Sequence, residues 1–246
     1  MLHLHYKDLP EQPLSRILRE LKYNLSTRQG GKTYLLKIAA PDEENILLPV
    51  GADFTLFKPS DKRAAKEKLG LEKDTVYGIY VGSFYILKSV DVILEIFHGL
   101  KSKFNFSVIF VGGEDNKNND LYVEVVKSGC LYFGRQEWSN MPDFYNAADF
   151  YIHPAFNPAF GGLDVSWIEA LECNKPVLSP QLAYLDFDYS ELGVLLKYKN
   201  EIIEKTEWMI NNYNKFSSCR EVAQKHLDGN IAIMEKLVKI YDEIYS

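Results

Sequence analysis

The 246 residues amount to about 1.6 typical domains, which suits one large domain with an appendage and excludes a large two-lobed enzyme. Lys and Arg number 28 against 34 Asp and Glu, a net charge of −6 that recruits no nucleic acid, while 46% hydrophobic and 25% charged residues exclude a disordered chain. No apolar run reaches the ~18 residues of a spanning helix, and Met1–Tyr6 lacks the basic-then-apolar layout of a signal peptide, so a cytoplasmic protein is expected.

Residues 1–40 carry seven Lys and Arg against three Asp and Glu, or +4, which leaves −10 for residues 41–246 and puts a boundary near residue 40. In this basic leader Leu14, Ile17, Leu18, Leu21 and Leu25 share one helical face, and Gln29-Gly30-Gly31 ends it. Such a helix packs on the main domain, docks a partner or makes a peripheral contact with a membrane surface. From residue 76 the apolar period switches between two and 3.6, the mark of strands alternating with helices. Val76–Val81, Phe106–Val111, Leu131–Phe133, Phe150–His153 and Pro176–Leu178 read as short buried strands, with Gly193–Leu196 a weaker sixth. Between them, Val90, Ile93, Leu94, Phe97 and Leu100 form one helical stripe and Val165 to Leu171 another. Right-handed crossovers then build a Rossmann-like α/β fold, a doubly wound parallel sheet of about six strands with helices on both faces. The tail after Ser217 places Val222, Ile231, Met234, Leu237, Val238, Tyr241 and Ile244 at helical spacing, which predicts a long closing helix that covers the sheet.

In such sheets ligands bind beyond the carboxyl ends of the strands, which points to Gly82-Ser83, Gly112-Gly113, Gly134-Arg135-Gln136, Pro154 onward and Ser179. The sequence has neither GxGxxG nor GxxxxGK[ST], so dinucleotide and P-loop readings fail. Asn157 to Val177 runs from a strand end through a glycine-containing loop into a helix, and this arrangement turns free N–H groups and the positive helix end toward the crevice. Glu169, near the first turn of that helix, is either a sugar-diol acceptor or a solvated helix glutamate. His3 and His5 form an HxH pair without an evident third ligand, and His153 ends a strand at the crevice. Cys130, Cys173 and Cys219 form no CxxC pair and suit core packing in a reducing compartment.

Several segments together carry a family resemblance. Leu48-Pro49-Val50-Gly51-Ala52-Asp53 through Phe57-Lys58-Pro59 matches the linker pattern "(I)PNGVDxxxFxP". Tyr80-Val81-Gly82 with Lys88-Ser89-Val90-Asp91 resembles "VGR…KGVD", and Phe133-Gly134 resembles "FLG". Met141 to Asp149 resembles "ypelYxxADvfv", and Glu169 to Val177 resembles "EAMACGKPVI". From about residue 46 to the end, the chain thus resembles the carboxyl-terminal, donor-binding domain of a retaining GT-B glycosyltransferase, with residues 1–45 as a leader, remnant or docking segment.

The resemblance implies transfer of a hexose from a UDP- or GDP-sugar, with retention, without a bound metal or other cofactor, to a glycan- or lipid-linked acceptor. It places Lys88 on the donor diphosphate and Glu169 on the ribose hydroxyls. The family's phosphate-binding arginine falls on Ser83, beside Gly82. Arg135 and Gln136 fall beside the base, and the family's first glutamate, eight residues before Glu169, falls on Gly161. Gly162, Leu163, Asp164 and Val165 fall on the phosphate-facing loop and helix start. The pattern "EGLPLVLLEA" aligned with Gly161 to Ala170 has no acid at Asp164, which either substitutes for the lost glutamate or caps the helix. Because only about 45 residues precede the linker, the acceptor half is expected from a second copy, a separate subunit or a membrane-bound acceptor. The departures at Ser83 and Gly161 leave a second possibility, a non-catalytic nucleotide-sugar or partner-binding module.

Overall fold

A computed structural model describes residues 24–26, 45–47, 51–113, 120–156, 164–185, 187–227 and 229–245. The chain divides into two compact units, one of Met1–Val50 with Ile231–Ser246 and one of Gly51–Asn230. In the first unit β1 (Asn24–Ser26) pairs in parallel with β2 (Asn45–Leu47), Asn24 opposite Asn45. Leu25 therefore belongs to a strand rather than to the end of the expected leader helix, because its backbone is committed to the ladder with Ile46. The remainder of that helix, Leu14 to Leu21, lies outside the described residues, as do His3 and His5.

The second unit opens with α1 (Lys62–Lys68), whose N-cap Asp61 accepts from the Ala64 N–H at 2.7 Å. There follow β3 (Val76–Val81), α2 (Val90–Leu100), β4 (Phe106–Val111), α3 (Asp120–Lys127) and β5 (Leu131–Tyr132). The other half comprises α4 (Met141–Ala147), β6 (Phe150–Ile152), α5 (Val165–Glu172), β7 (Val177–Ser179) and β8 (Gly193–Leu195). α6 (Ile202–Asn212) and α7 (Cys219–His226) close the unit.

All six expected strands form one parallel sheet in the order β5-β4-β3-β6-β7-β8. The strands are apolar without alternation because helices cover both faces, as the run from Phe106 to Val111 illustrates. α2 buries seven apolar side chains, among them Val92 and Ile96 outside the expected stripe, each worth about 1.5–3 kcal/mol relative to exposure. The Phe106 and Phe150 rings stack in the core with centroids 6.1 Å apart.

The single closing helix is two helices, α7 and α8 (Asn230–Tyr245). Leu227 turns extended at φ −113° and ψ 139°, so the i→i−4 ladder stops there. α8 falls largely in the first unit.

Candidate nucleotide-sugar site

The strand order reverses between β3 and β6, and a cavity of about 320 Å³ opens at their carboxyl ends. Its lining is Val81, Gly82, Ser83, Lys88, Asp164, Val165, Ser166 and Glu169. The turn after β3 is held from the next strand: Gly82 N–H donates to Val111 O at 3.0 Å, and Gly112 N–H donates to Gly134 O at 2.7 Å. A Cβ on Gly112 would sit 2.6 Å from Gly82 O, and one on Gly113 would sit 2.4 Å from the Phe84 ring. The glycine pair therefore serves close packing behind the turn rather than lining the cavity. Lys88 ends a short 3-10 turn (Ile86–Lys88), and Ser89 redirects the chain into α2 with φ 56°. That left-handed conformation is where the resembled pattern carries glycine, and it costs a serine roughly 1–2 kcal/mol.

Two polar clusters flank the cavity. In the first, the Lys88 ammonium donates to Asp164 Oδ2 at 2.5 Å, with both side chains largely shielded from water. Asp164 occupies the N-cap of α5, where its carbonyl accepts from Trp167 N–H at 3.0 Å, yet its carboxylate caps nothing. His153 Nε2 lies 3.2 Å from the same Oδ2, but it is not aligned for a hydrogen bond. The His153 ring is 1% exposed, and burial, with Lys88 adding to it, lowers its pKa to about 4 although Asp164 opposes the shift. The Tyr151 hydroxyl reaches His153 Nδ1 at 3.3 Å and Ser166 Oγ at 2.8 Å.

In the second cluster, Glu169 is 6% exposed and both its oxygens are engaged. The buried Tyr145 hydroxyl donates to Oε2 at 2.8 Å, and Trp138 Nε1–H donates to Oε1 at 3.2 Å. Phe57 packs edge-on against both rings, with centroids 5.8 Å from Tyr145 and 5.7 Å from Trp138. Burial raises the Glu169 pKa and the two hydrogen bonds oppose the rise, and the side chain they hold is part of the cavity lining.

The structure thus brings Gly82, Ser83, Lys88, Asp164, Val165 and Glu169 to one cavity. Gly161, Gly162 and Leu163 lie outside the described residues. Arg135 is exposed, Gln136 donates to Phe133 O at 2.6 Å, and neither is part of the lining. His153 is a buried support rather than a cavity residue. Sequence reasoning missed Tyr145, Trp138, Tyr151 and Ser166, although Tyr145 sits on the tyrosine of the pattern quoted for Met141 to Asp149. Among the described residues no three His, Cys, Asp or Glu side chains converge on a metal position, and no helix is long and apolar enough to cross a membrane. The three cysteines are buried, and burial raises their thiols to about 11 for Cys130 and about 12 for Cys173 and Cys219.

Residues 61–226 match the family model described as glycosyl transferases group 1. D-inositol 3-phosphate glycosyltransferase of Rhodococcus jostii is 28% identical over 158 residues, covering 60% of this chain and 34% of that protein. The Stackebrandtia nassauensis protein of the same description is 26% identical over 231 residues, covering 84% of this chain and 50% of its own length. The matched stretch therefore spans about a third to a half of these relatives. Among solved structures, sucrose-phosphate synthase from Thermosynechococcus elongatus superposes with a TM-score of 0.77 at 18% identity, over 99% of this chain and 64% of that one. Anabaena HepE in complex with UDP and glucose superposes with a TM-score of 0.76 at 15% identity, over 98% and 70%.

Proposed function

The chain belongs to the group 1 glycosyl transferases, and from that premise we propose that it binds a nucleoside-diphosphate hexose and transfers the sugar with retention to a glycan- or lipid-linked acceptor. The observation that carries this reading is the gathering of Lys88 and Glu169 on one cavity at the switch point of the sheet. Lys88 meets the diphosphate as a point charge, and Glu169, held by Tyr145 and Trp138, accepts from the ribose diol. The first-turn N–H groups of α5, at Val165 and Ser166, add the positive end of a helix dipole beside Lys88. As the bond from sugar to diphosphate breaks, the electron pair goes to the leaving phosphate oxygen, where Lys88 stabilises the charge. HepE, a fold neighbour, has been crystallised with UDP-glucose, which supports the choice of donor class.

Ser83 favours a second reading, a binding module without turnover, because it puts a neutral hydroxyl on the cavity wall where the resembled pattern has an arginine. Calorimetric titration with UDP, GDP and ADP, followed by an assay of nucleotide release from the matching sugar donors, separates the readings. Tight binding with release supports transfer, and binding without release supports the module. Lys88→Ala and Glu169→Ala that bind nucleotide like the parent would refute both.

A further inference from the structure

Among the described residues, Asp164 is the one acid on the cavity lining besides Glu169, and it stands where the resembled pattern has none. Its backbone adopts the N-cap conformation, φ −81° and ψ 147°, which normally delivers an aspartate side chain to the N–H groups of its own helix. Here the carboxylate turns away from them to the Lys88 ammonium, across 76 residues of sequence. We propose that Asp164 is an internal competitor for the donor: its carboxylate occupies the lysine that the diphosphate requires, and the ligand binds by taking Lys88 from it. This rests on the donor-site reading above and specifies what the diphosphate displaces there.

The exchange has a built destination. His153 Nε2 lies 3.2 Å from Asp164 Oδ2, buried and unaligned, and a small rotation of the carboxylate away from Lys88 gives it a hydrogen bond. Tyr151, held between His153 Nδ1 and Ser166 Oγ, keeps that imidazole in place. A carboxylate left pointing at a bound diphosphate would repel it, so turning inward moves a like charge away from the ligand as well as freeing the ammonium. Only a ligand with charge enough to outcompete the carboxylate gains Lys88. Asp164 therefore weakens every anion that needs Lys88 and leaves neutral sugars and nucleosides, which do not need it, unaffected.

The test is a set of titrations on the full chain with inorganic pyrophosphate, UDP and uridine. Asp164→Asn keeps the shape and removes the competing charge, and Asp164→Ser retains an N-capping residue should the amide variant fold poorly. Either variant is expected to bind pyrophosphate and UDP roughly tenfold or more tightly than the parent, with uridine unchanged. In a Lys88→Ala background the same substitution is expected to change pyrophosphate affinity by no more than about threefold, because the group competed for is gone. A parent that binds UDP while neither Asp164 variant binds pyrophosphate more tightly overturns the proposal and leaves the donor site standing. A parent that binds neither pyrophosphate nor UDP overturns both.

Discussion

Glu169→Gln separates the role of this side chain in binding from its role in the fold. The carboxylate receives one hydrogen bond from Trp138 Nε1–H and one from the Tyr145 hydroxyl. A glutamine can present its carbonyl to the indole, which only donates, and its amide to the tyrosine oxygen, whose hydroxyl can reverse and accept. Both partners, the buried Tyr145 and the exposed Trp138, stay satisfied and a buried charge is removed, so stability should change by less than about 1 kcal/mol, or about 2–4 °C in melting temperature for a chain of this size. Binding is different, because a ribose diol donates to a carboxylate through charge-assisted hydrogen bonds worth about 1.5–3 kcal/mol. The variant is therefore expected to lose roughly 10- to 100-fold in affinity for UDP or its preferred nucleotide, while pyrophosphate affinity is retained. Calorimetry with both ligands beside a thermal melt provides the assay. Nucleotide affinity equal to the parent's, in a variant that melts normally, would refute the assignment of Glu169 to the ribose.

Ser83→Arg restores a forked cation to the cavity wall and should tighten diphosphate binding roughly tenfold; a titration showing no gain would mean that position 83 does not face the phosphates. Ser89→Gly relieves a left-handed serine next to Lys88 and should raise the melting temperature by about 2–4 °C, a gain of about 1 kcal/mol, whereas a lower melting point would contradict the backbone account. The His153 pKa is depressed from 6.5 to about 4, so its contribution to stability is complete above pH 6.5 and disappears as pH falls through 4. Between pH 7 and pH 4 the parent should thus lose about 3 kcal/mol more than His153→Gln in denaturant titrations, and parallel losses would show that His153 is not held neutral.

The sheet was legible because parallel strands buried on both faces become uninterrupted apolar runs, and Val76–Val81 and Phe106–Val111 are strands over the expected residues. α1 was not, since only Ala65 and Lys66 are buried and no apolar stripe exists; Asp61 ahead of it was the available signal. α6 did carry a stripe, Ile202, Thr206, Met209 and Ile210, whose buried threonine bonds back to Ile202 O at 2.6 Å and breaks the apolar pattern. The break before α8 followed from Leu227 leaving the helical region in a stretch that lacks proline. At the site, Lys88, Asp164 and Glu169 were named through local motifs, whereas the pairings that hold them were not. Asp164 lies 76 residues from Lys88, and Trp138 lies 31 from Glu169. Such pairings arise from the crossover topology, which brings the segments after β3, β5 and β6 together, and no local spacing encodes them.

A crystal structure of the chain with UDP shows whether the cavity between Lys88 and Glu169 receives the nucleotide of a sugar donor. The diphosphate is expected within hydrogen-bond distance of the Lys88 ammonium, the ribose hydroxyls on the Glu169 carboxylate, and Asp164 turned from Lys88 toward His153. UDP bound elsewhere on the fold, or bound in this cavity with Lys88 still paired to Asp164 and Glu169 untouched, would contradict that placement.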